Sequence, residues 1–508
     1  MSRERQVLPS LRQIARAAAR SNDGRRCLVA ASPELRERLK REFSALRSSA
    51  SEALAPRLRA REPVRVGFND GTIYPGDHFP LGAPAQVVRR AAAARKPLRG
   101  KVRVIVVLAE FADRKLASGH DRAHFERLFF STGALPNGSV AEYFKEVTGG
   151  AVDTVGEVVG PYTLPLKLAE YAHGASGTGD LAPNARTMAR DAAAAANAAV
   201  DFEPYDNDRD GFVDAFIVIH AGAGAEVTGK AGDIWSHKWV LEGGPFQADG
   251  TQVYAYLTVP EDSKIGVCCH ELGHLLFGFP DLYDTDGSSE GVGDWCLMGG
   301  GSWGGGGDVP CHPSAWCKAA QGWAKVVNVT RNGPQKVEDV KTGKKVYRLW
   351  KNGTRGSEYF LVENRQRVSY DRSLPGEGLL VWHVDDAVAS NENESHYRVA
   401  LLQADAMRDL ERGNNRGDAG DPFPGAAAKA AVDGSTTPST RSYGGLDTSV
   451  AVSGIPAPSA AMAVSLAVKA PRKPAAGPAR AARAGARGAA KPSRRAGRRR
   501  GAGRGGRR

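Results

Sequence analysis

The pentapeptide His270-Glu271-Leu272-Gly273-His274 constrains this chain more than any other stretch. Residues four apart share one face of an α-helix, so the two imidazoles can grip a single zinc ion at about 2.0 to 2.1 Å. Glu271 sits one helical step away, yet its length lets it reach a water beside that ion and pass a proton to a leaving group. His270 and His274 are therefore the expected zinc ligands and Glu271 the expected base. The pattern requires a helix, and the sequence supplies its end: Gly278 can take the left-handed cap conformation and Pro280 cannot continue the helix. The chain then turns back, bringing the acidic run Asp281-Leu282-Tyr283-Asp284-Thr285-Asp286 toward the metal.

A chain of 508 residues exceeds one ordinary core, so two or three domains are expected. Its net charge of +13 suggests a polyanion partner until the distribution is examined. Residues 469–508 carry fifteen Lys and Arg and no Asp or Glu, which leaves the remainder nearly neutral. Such a tail, without aromatics, can contact nucleic acid, acidic polysaccharide or anionic lipid non-specifically but is not built to read bases. No run of about 18 apolar residues exists, so no membrane span is expected. The six cysteines are too irregularly spaced for a disulfide framework. The first 20 residues lack the apolar stretch of a signal peptide.

The pattern divides the chain into four parts. Residues 1–98 mix Arg-rich and Ala-rich helical stretches with a Pro/Gly-rich segment, 67–84, and suit a pro-segment or support region. Residues 99–325 begin with VRVIVVLAEFAD, a β-branched run suited to a buried strand, and continue with the helical patterns AHFERLFF and SVAEYFKEV. An Ala-rich helix over 185–200, the strand AFIVIH and the strand QVYAYLTV then lead to the histidine helix. Residues 326–468 read as short strands between Gly, Asn and Asp turns, as in a β-sandwich. Residues 469–508 have nothing to bury and read as a disordered basic tail.

HELGHLLFGFPDLYD followed by GDWCLMGGGSWGG resembles the M6 metallopeptidases, the immune inhibitor A group of metzincin-like zinc endopeptidases. The resemblance extends through VIVVLAEFAD, FSTGALPNGSVAEYFKEVTGG, YDNDRDGFVDAFIVIHAGAGAE, DIWSHKW, EYFLVENRQ, LPGEGLLVWHVD and NRGDAGDPFPG, over roughly residues 100 to 425. It implies an α+β fold, with a metzincin-like zinc-peptidase domain followed by a β-sandwich-like one. It also implies an extracellular endopeptidase acting on internal bonds of protein or peptide substrates. The family's spacing puts a glycine three residues after the second histidine and the third ligand six after it. Here Gly278 and Asp281 stand four and seven beyond His274, so Phe277 reads as an insertion. Asp281 is the third ligand of choice, since one oxygen after a glycine turn completes three protein ligands and leaves one site for water. Tyr283, Asp284 and His383 are its competitors. Met298 resembles the methionine turn beneath the ligands of metzincins, and the strand QVYAYLTV is expected to act as the edge that pairs with extended substrate. A catalytically silent adhesion or polyanion-binding relative is the alternative, should the insertion spoil the third ligand.

Other groups carry secondary expectations. Asp206, Asp208, Asp210 and Asp214 place oxygens along a glycine-containing turn, as calcium loops do, although Ile217 stands where an EF-hand has its glutamate. Asp418 and Asp421 suit turn formation better than a second ion. The glycine-rich run 299–307 reads as a loop beside the cleft. Cys27 could cap the zinc from a pro-segment, but an inert buried cysteine is the plainer expectation.

Overall fold

The computed structural model of the protein describes residues 27–49 and 96–469. The basic tail beyond Lys469 and the segment 67–84 lie outside the described residues. The architecture is α+β. Its first sheet has six strands: β1 (Cys27–Leu28), β2 (Gly100–Glu110), β3 (Val152–Thr163), β4 (Phe216–His220), β5 (His237–Val240) and, after the small hairpin β6 (Phe246–Ala248) and β7 (Thr251–Val253), β8 (Ala255–Pro260). The spatial order is β1-β5-β8-β4-β2-β3. Strands β3, β2, β4 and β8 run parallel, whereas β5 is antiparallel to β8 and β1 antiparallel to β5.

The continuous apolar run in β2 follows from burial on both faces. Val104, Val106 and Leu108 point into one core with the helices α2 (Arg122–Phe130), α3 (Val140–Val147) and α5 (Ile265–Phe277). Ile105, Val107 and Ala109 point into the other, against α4 (Ala185–Ala196). Each fully buried Val, Leu or Ile contributes roughly 1.5 to 3 kcal/mol relative to exposure. Ser139 and Glu142 form a capping box on α3, which fixes where that helix starts.

QVYAYLTV does not form an edge. Both sides of β8 are paired, with β4 and with β5, so its backbone donors and acceptors are already used and cannot take up a substrate strand. Beyond β5 the described sheet has one more strand, the two-residue β1 from the amino-terminal segment.

The carboxy-terminal strands are β9 (Lys325–Asn328), β10 (Gly333–Glu338), β11 (Lys345–Trp350), β12 (Glu358–Arg365), β13 (Gly378–Asp385), β14 (Val399–Leu401), β15 (Ala431–Val432), β16 (Ala451–Ser453) and β17 (Ala461–Ala467). They form a five-stranded sheet, β14-β13-β12-β11-β9, and a four-stranded sheet, β10-β17-β16-β15. In β12 (Glu358–Arg365), Phe360 and Val362 enter a core shared with the four-stranded sheet, which supplies Val337, Met462, Val464 and Leu466. Tyr359 and Leu361 point the other way, into the core that also contains Leu272 and Met298. All described residues accordingly belong to one compact unit, and the packing runs without a break across residue 325.

A buried charge network fastens this sheet to the segments around α5. Arg365, with no exposed side-chain surface, holds Asp371 through both carboxylate oxygens and donates to the carbonyls of Trp295 and His312 at 3.4 and 3.3 Å. Glu363 accepts from Trp382 Nε1 at 3.0 Å and from the Ala315 amide at 3.1 Å. Burial alone would raise the Asp371 carboxyl, but Arg365 and His312 hold it well below the usual range. Removing one partner strands the other charge, so Asp371→Asn should cost about 3 to 5 kcal/mol in urea unfolding. The wild type should also lose stability as pH falls below about 4, where unfolded aspartate protonates, while Asp371→Asn lacks that component of the decline. A cost under about 1 kcal/mol with an unchanged acid profile would show that the network does not hold the sheet.

Candidate metal centre

Helix α5 buries all thirteen of its residues, so it passes through the core rather than along a surface. It closes as the sequence requires. Gly278 takes φ 63° and ψ 27°, its amide bonds His274 O at 2.9 Å, and the Phe279 amide bonds Gly273 O at 3.1 Å. The first of these bonds is the single bond of an αL cap, with glycine in the left-handed conformation. Phe277, the additional residue, is absorbed before the cap and packs on Phe144, Phe279 and Trp323 at ring separations of 5.4, 5.9 and 4.7 Å. Asp281 still returns to the histidines.

His270 Nε2, His274 Nε2 and Asp281 Oδ1 form a triangle with every side 3.1 Å. Donor atoms at this spacing could be held by one ion at about 2.0 to 2.1 Å from each, the distances usual for zinc. The outer nitrogens set the tautomers. His270 Nδ1 lies 2.9 Å from Leu297 O and His274 Nδ1 lies 2.5 Å from Phe279 O, so Nδ1 carries the proton and each Nε2 presents a lone pair inward. Burial lowers the His274 pKa. Burial would raise the Asp281 carboxyl, but the two imidazoles bring it below its ordinary value.

Glu271 is fully buried, and neither carboxylate oxygen has a hydrogen-bond partner. Burial pushes it well above the usual range; Asp281 and Glu226 add to the rise, while Lys238 opposes it. An orphaned carboxylate next to three converging donor atoms fits a site built for an ion and a water.

The loop containing Met298 supports both sides of the triangle. Leu297 O receives His270, and Met298 O receives the Leu282 amide at 2.8 Å, next to Asp281. The Met298 sulfur lies 2.7 Å from where a Cβ on Gly273 would stand. Asn391, from the carboxy-terminal part, donates to Leu282 O at 2.8 Å. Asn391 lies outside the quoted motifs and Arg365, inside EYFLVENRQ, had no assigned role; their long-range contacts reveal what they hold.

The competitors for the third position point elsewhere. Tyr283 OH donates to Leu28 O at 2.7 Å, and Asp284 accepts from Ser288 and Ser289. His383 stacks between Phe360 and Tyr443 in β13 and bonds Glu358. Asp206, Asp208 and Asp210 gather within 4.8 Å, but Asp214 is not in that group. Its Oδ2 takes the Asn207 amide at 2.6 Å, closing the turn instead. Asp418 and Asp421 meet Asp405 in a second acidic group, and burial raises Asp421 to about 7. The run 300–307 makes 3-10 turns broken by a kink at Gly304–Gly306, with Ser302 O 2.0 Å from a Cβ placed on Gly266. All six cysteines are buried thiols, and Cys27 lies in the same cluster as His274 and Asp281.

Two helix-borne imidazoles, a carboxylate oxygen beside them and an unpartnered buried glutamate form the donor set of a metal-dependent peptidase. Residues 100–328 match the catalytic domain of the immune inhibitor A peptidase M6 family. Immune inhibitor A of Bacillus thuringiensis subsp. alesti is 35% identical over 265 residues, 42% of this chain and 38% of the relative. The pre-pro-metalloprotease PrtV of Vibrio cholerae serotype O1 (strain M66-2) is 32% identical over 238 residues, 39% of this chain and 26% of the relative. The chain thus spans less than two-fifths of the length of these relatives. The likeness to the M6 metallopeptidases thus lies in residues 100–328, somewhat under half of the chain.

Close packing at Gly273 gives a direct check. Gly273→Ala should destabilise the protein by about 1 to 3 kcal/mol through the Met298 sulfur. In a thermal or urea double-mutant cycle with Met298→Ala, the two costs should be clearly less than additive. Additive costs would mean that the sulfur does not bear on the helix.

Proposed function

We propose that the chain is a zinc-dependent endopeptidase, with His270, His274 and Asp281 as ligands and Glu271 as the proton-transferring group. The observation carrying this reading is the 3.1 Å triangle of donor atoms beside an unpaired glutamate. Zinc, when bound, supplies a Lewis acid that acidifies water and polarises the scissile carbonyl. The chain's own residues do the rest. His270 and His274 present lone pairs because the Leu297 and Phe279 carbonyls hold their protons on the far side. Glu271 Oε accepts the proton of the attacking water and delivers it to the leaving amine nitrogen as the C–N bond breaks. The dry walls around α5 keep these charges unscreened.

A metzincin-like catalytic fold and a sandwich-like pairing of the carboxy-terminal sheets belong to the same reading. They are supported by Met298 beneath α5 and by the core shared between the two later sheets. Protein or peptide substrates and an extracellular setting follow from kinship with the two named relatives. The silent adhesion or polyanion-binding alternative loses its premise, because Asp281 reaches the histidines despite Phe277. No helix of the described residues is long and apolar enough to cross a membrane. Calcium at Asp206, Asp208 and Asp210 has only the gathering of their oxygens in its favour.

Glu271→Gln should reduce casein or peptide hydrolysis by about 10² to 10⁴-fold while zinc content stays near one per chain. His270→Ala should lose the zinc as measured by elemental analysis. Retained hydrolysis in Glu271→Gln, or a wild type that carries stoichiometric zinc yet cleaves nothing after its amino-terminal segment is removed, would overturn the reading. For the acidic turn, calcium should raise the midpoint of thermal unfolding, and Asp208→Asn should remove that rise. An identical midpoint with calcium and with chelator would exclude the ion.

A further inference from the structure

A recess lies where α3 meets two short helices, α6 (Ala315–Gln321) and α7 (Val340–Gly343). It encloses about 220 Å³, and none of the three proposed zinc ligands lines it. Its walls include the lysines Lys318, Lys341 and Lys344 against a single carboxylate, Glu146. Lys341 takes that carboxylate at 3.2 Å, whereas Lys344 donates only to Gly149 O at 3.0 Å. Lysines elsewhere are neutralised; Lys40 on α1 (Pro33–Ser49), for example, meets Glu290 at 2.9 Å. The recess therefore keeps an excess of positive charge.

Inside it, two buried polar atoms have no hydrogen-bond partner among the described residues, Trp323 Nε1 and His312 Nδ1. Their residues are 5% and 2% exposed, so bulk solvent does not serve them, and leaving such groups unserved is costly. Lys318 is equally buried, and its ammonium has three donors but one partner among the described residues, Glu363 Oε2 at 3.4 Å. Burial lowers its pKa despite Glu363, so a further negative charge beside it stabilises the charged form.

The two unserved atoms ask for opposite things. His312 Nε2 lies 3.0 Å from Glu146 Oε1. Burial would raise the Glu146 carboxyl, but hydrogen bonds from His312 and Ser369 bring it down to about 2. An ionised carboxylate only accepts, so Nε2 carries the imidazole proton. Burial lowers the His312 pKa, which leaves Nδ1 a bare lone pair at neutral pH. Trp323 Nε1 and the lysines, by contrast, only donate. Chloride or sulfate would satisfy these donors but brings no proton for Nδ1. An oxyanion that keeps one O–H satisfies both.

We propose that this recess binds a hydrogen-bearing oxyanion of the hydrogen phosphate or bicarbonate class. Trp323 Nε1 and Lys318 Nζ donate to its oxygens, its O–H donates to His312 Nδ1, and Lys341 and Lys344 attract it at the mouth. Such an anion displaces on the order of two or three waters, at about 30 Å³ each, and fits the space. Binding is non-covalent and breaks no bond. Its place ties it to the end of the histidine helix. The Trp323 ring packs on Phe277 and Phe279 at 4.7 and 5.4 Å, and Gln321 donates to Phe277 O at 2.9 Å. An anion that fixes the indole thereby fixes the residues that close α5.

Equilibrium dialysis of the purified full chain against labelled inorganic phosphate, at constant ionic strength, tests this. One phosphate per chain should bind saturably, and bicarbonate should displace it while sulfate does not. Trp323→Phe, which keeps the ring and removes the N–H, should weaken binding about tenfold or more. The double variant Lys341→Gln, Lys344→Gln lies at the solvent-facing mouth and should weaken it several-fold. His270→Ala should bind as the wild type does, which separates this site from the metal centre and from the metallopeptidase reading. Displacement by bicarbonate at concentrations below those of phosphate would assign the site to bicarbonate, and the converse to phosphate. No saturable binding of either anion overturns the proposal, as does binding unchanged in both Trp323→Phe and the double lysine variant. Sulfate competing as well as phosphate overturns the hydrogen bond to His312.

Discussion

Two imidazole rings are useful to a metal only if their lone pairs face each other, and here two backbone carbonyls enforce that. Leu297 O and Phe279 O each hold a histidine's outer nitrogen, leaving the inner pair 3.1 Å apart. A tautomer fixed by the backbone costs the site no reorganisation, because the carbonyls are themselves held by the fold. The Phe279 carbonyl follows the left-handed glycine cap, and Leu297 precedes the methionine that packs under Gly273. The site therefore depends on two loops, one capping the buried helix and one packed against its middle.

Those loops in turn depend on residues well outside the histidine helix. Met298 O holds the Leu282 amide, Asn391 holds Leu282 O, and Arg365 reaches the Trp295 carbonyl. The carboxy-terminal sheet is thus part of the active-site frame and not an appendage to it. Its strand β12 shows this in its alternation, with one face toward the peptidase core and the other toward the second sheet. Where both faces of the strand lie in cores it is apolar, as YFLV over 359–362 is, and its buried Glu363 and Arg365 are paired.

What was legible in the sequence was local. The helix of His270 and His274, its stop at Gly278 and the return to Asp281 are all decided within a dozen residues by helical periodicity and turn chemistry. The strands VRVIVVLAE and FIVIH were legible for the same reason. The order of strands in a sheet was not, because a period of two says which face is buried and nothing about neighbours; QVYAYLTV consequently proved internal. The pairing of Cys27 with Lys238 joins residues more than two hundred positions apart through a strand of two residues, too short to leave any pattern. Asp214 shared the spacing of a calcium loop but closes its turn by accepting an amide. Aspartates near glycine serve either purpose, and spacing alone does not separate them.

X-ray absorption at the zinc edge of the purified full chain tests the arrangement most directly. Two imidazole nitrogens and one carboxylate oxygen at about 2.0 to 2.1 Å is the expected set of protein ligands. A spectrum without imidazole scattering, or a protein that retains no zinc at neutral pH, would contradict the site on which the whole account stands.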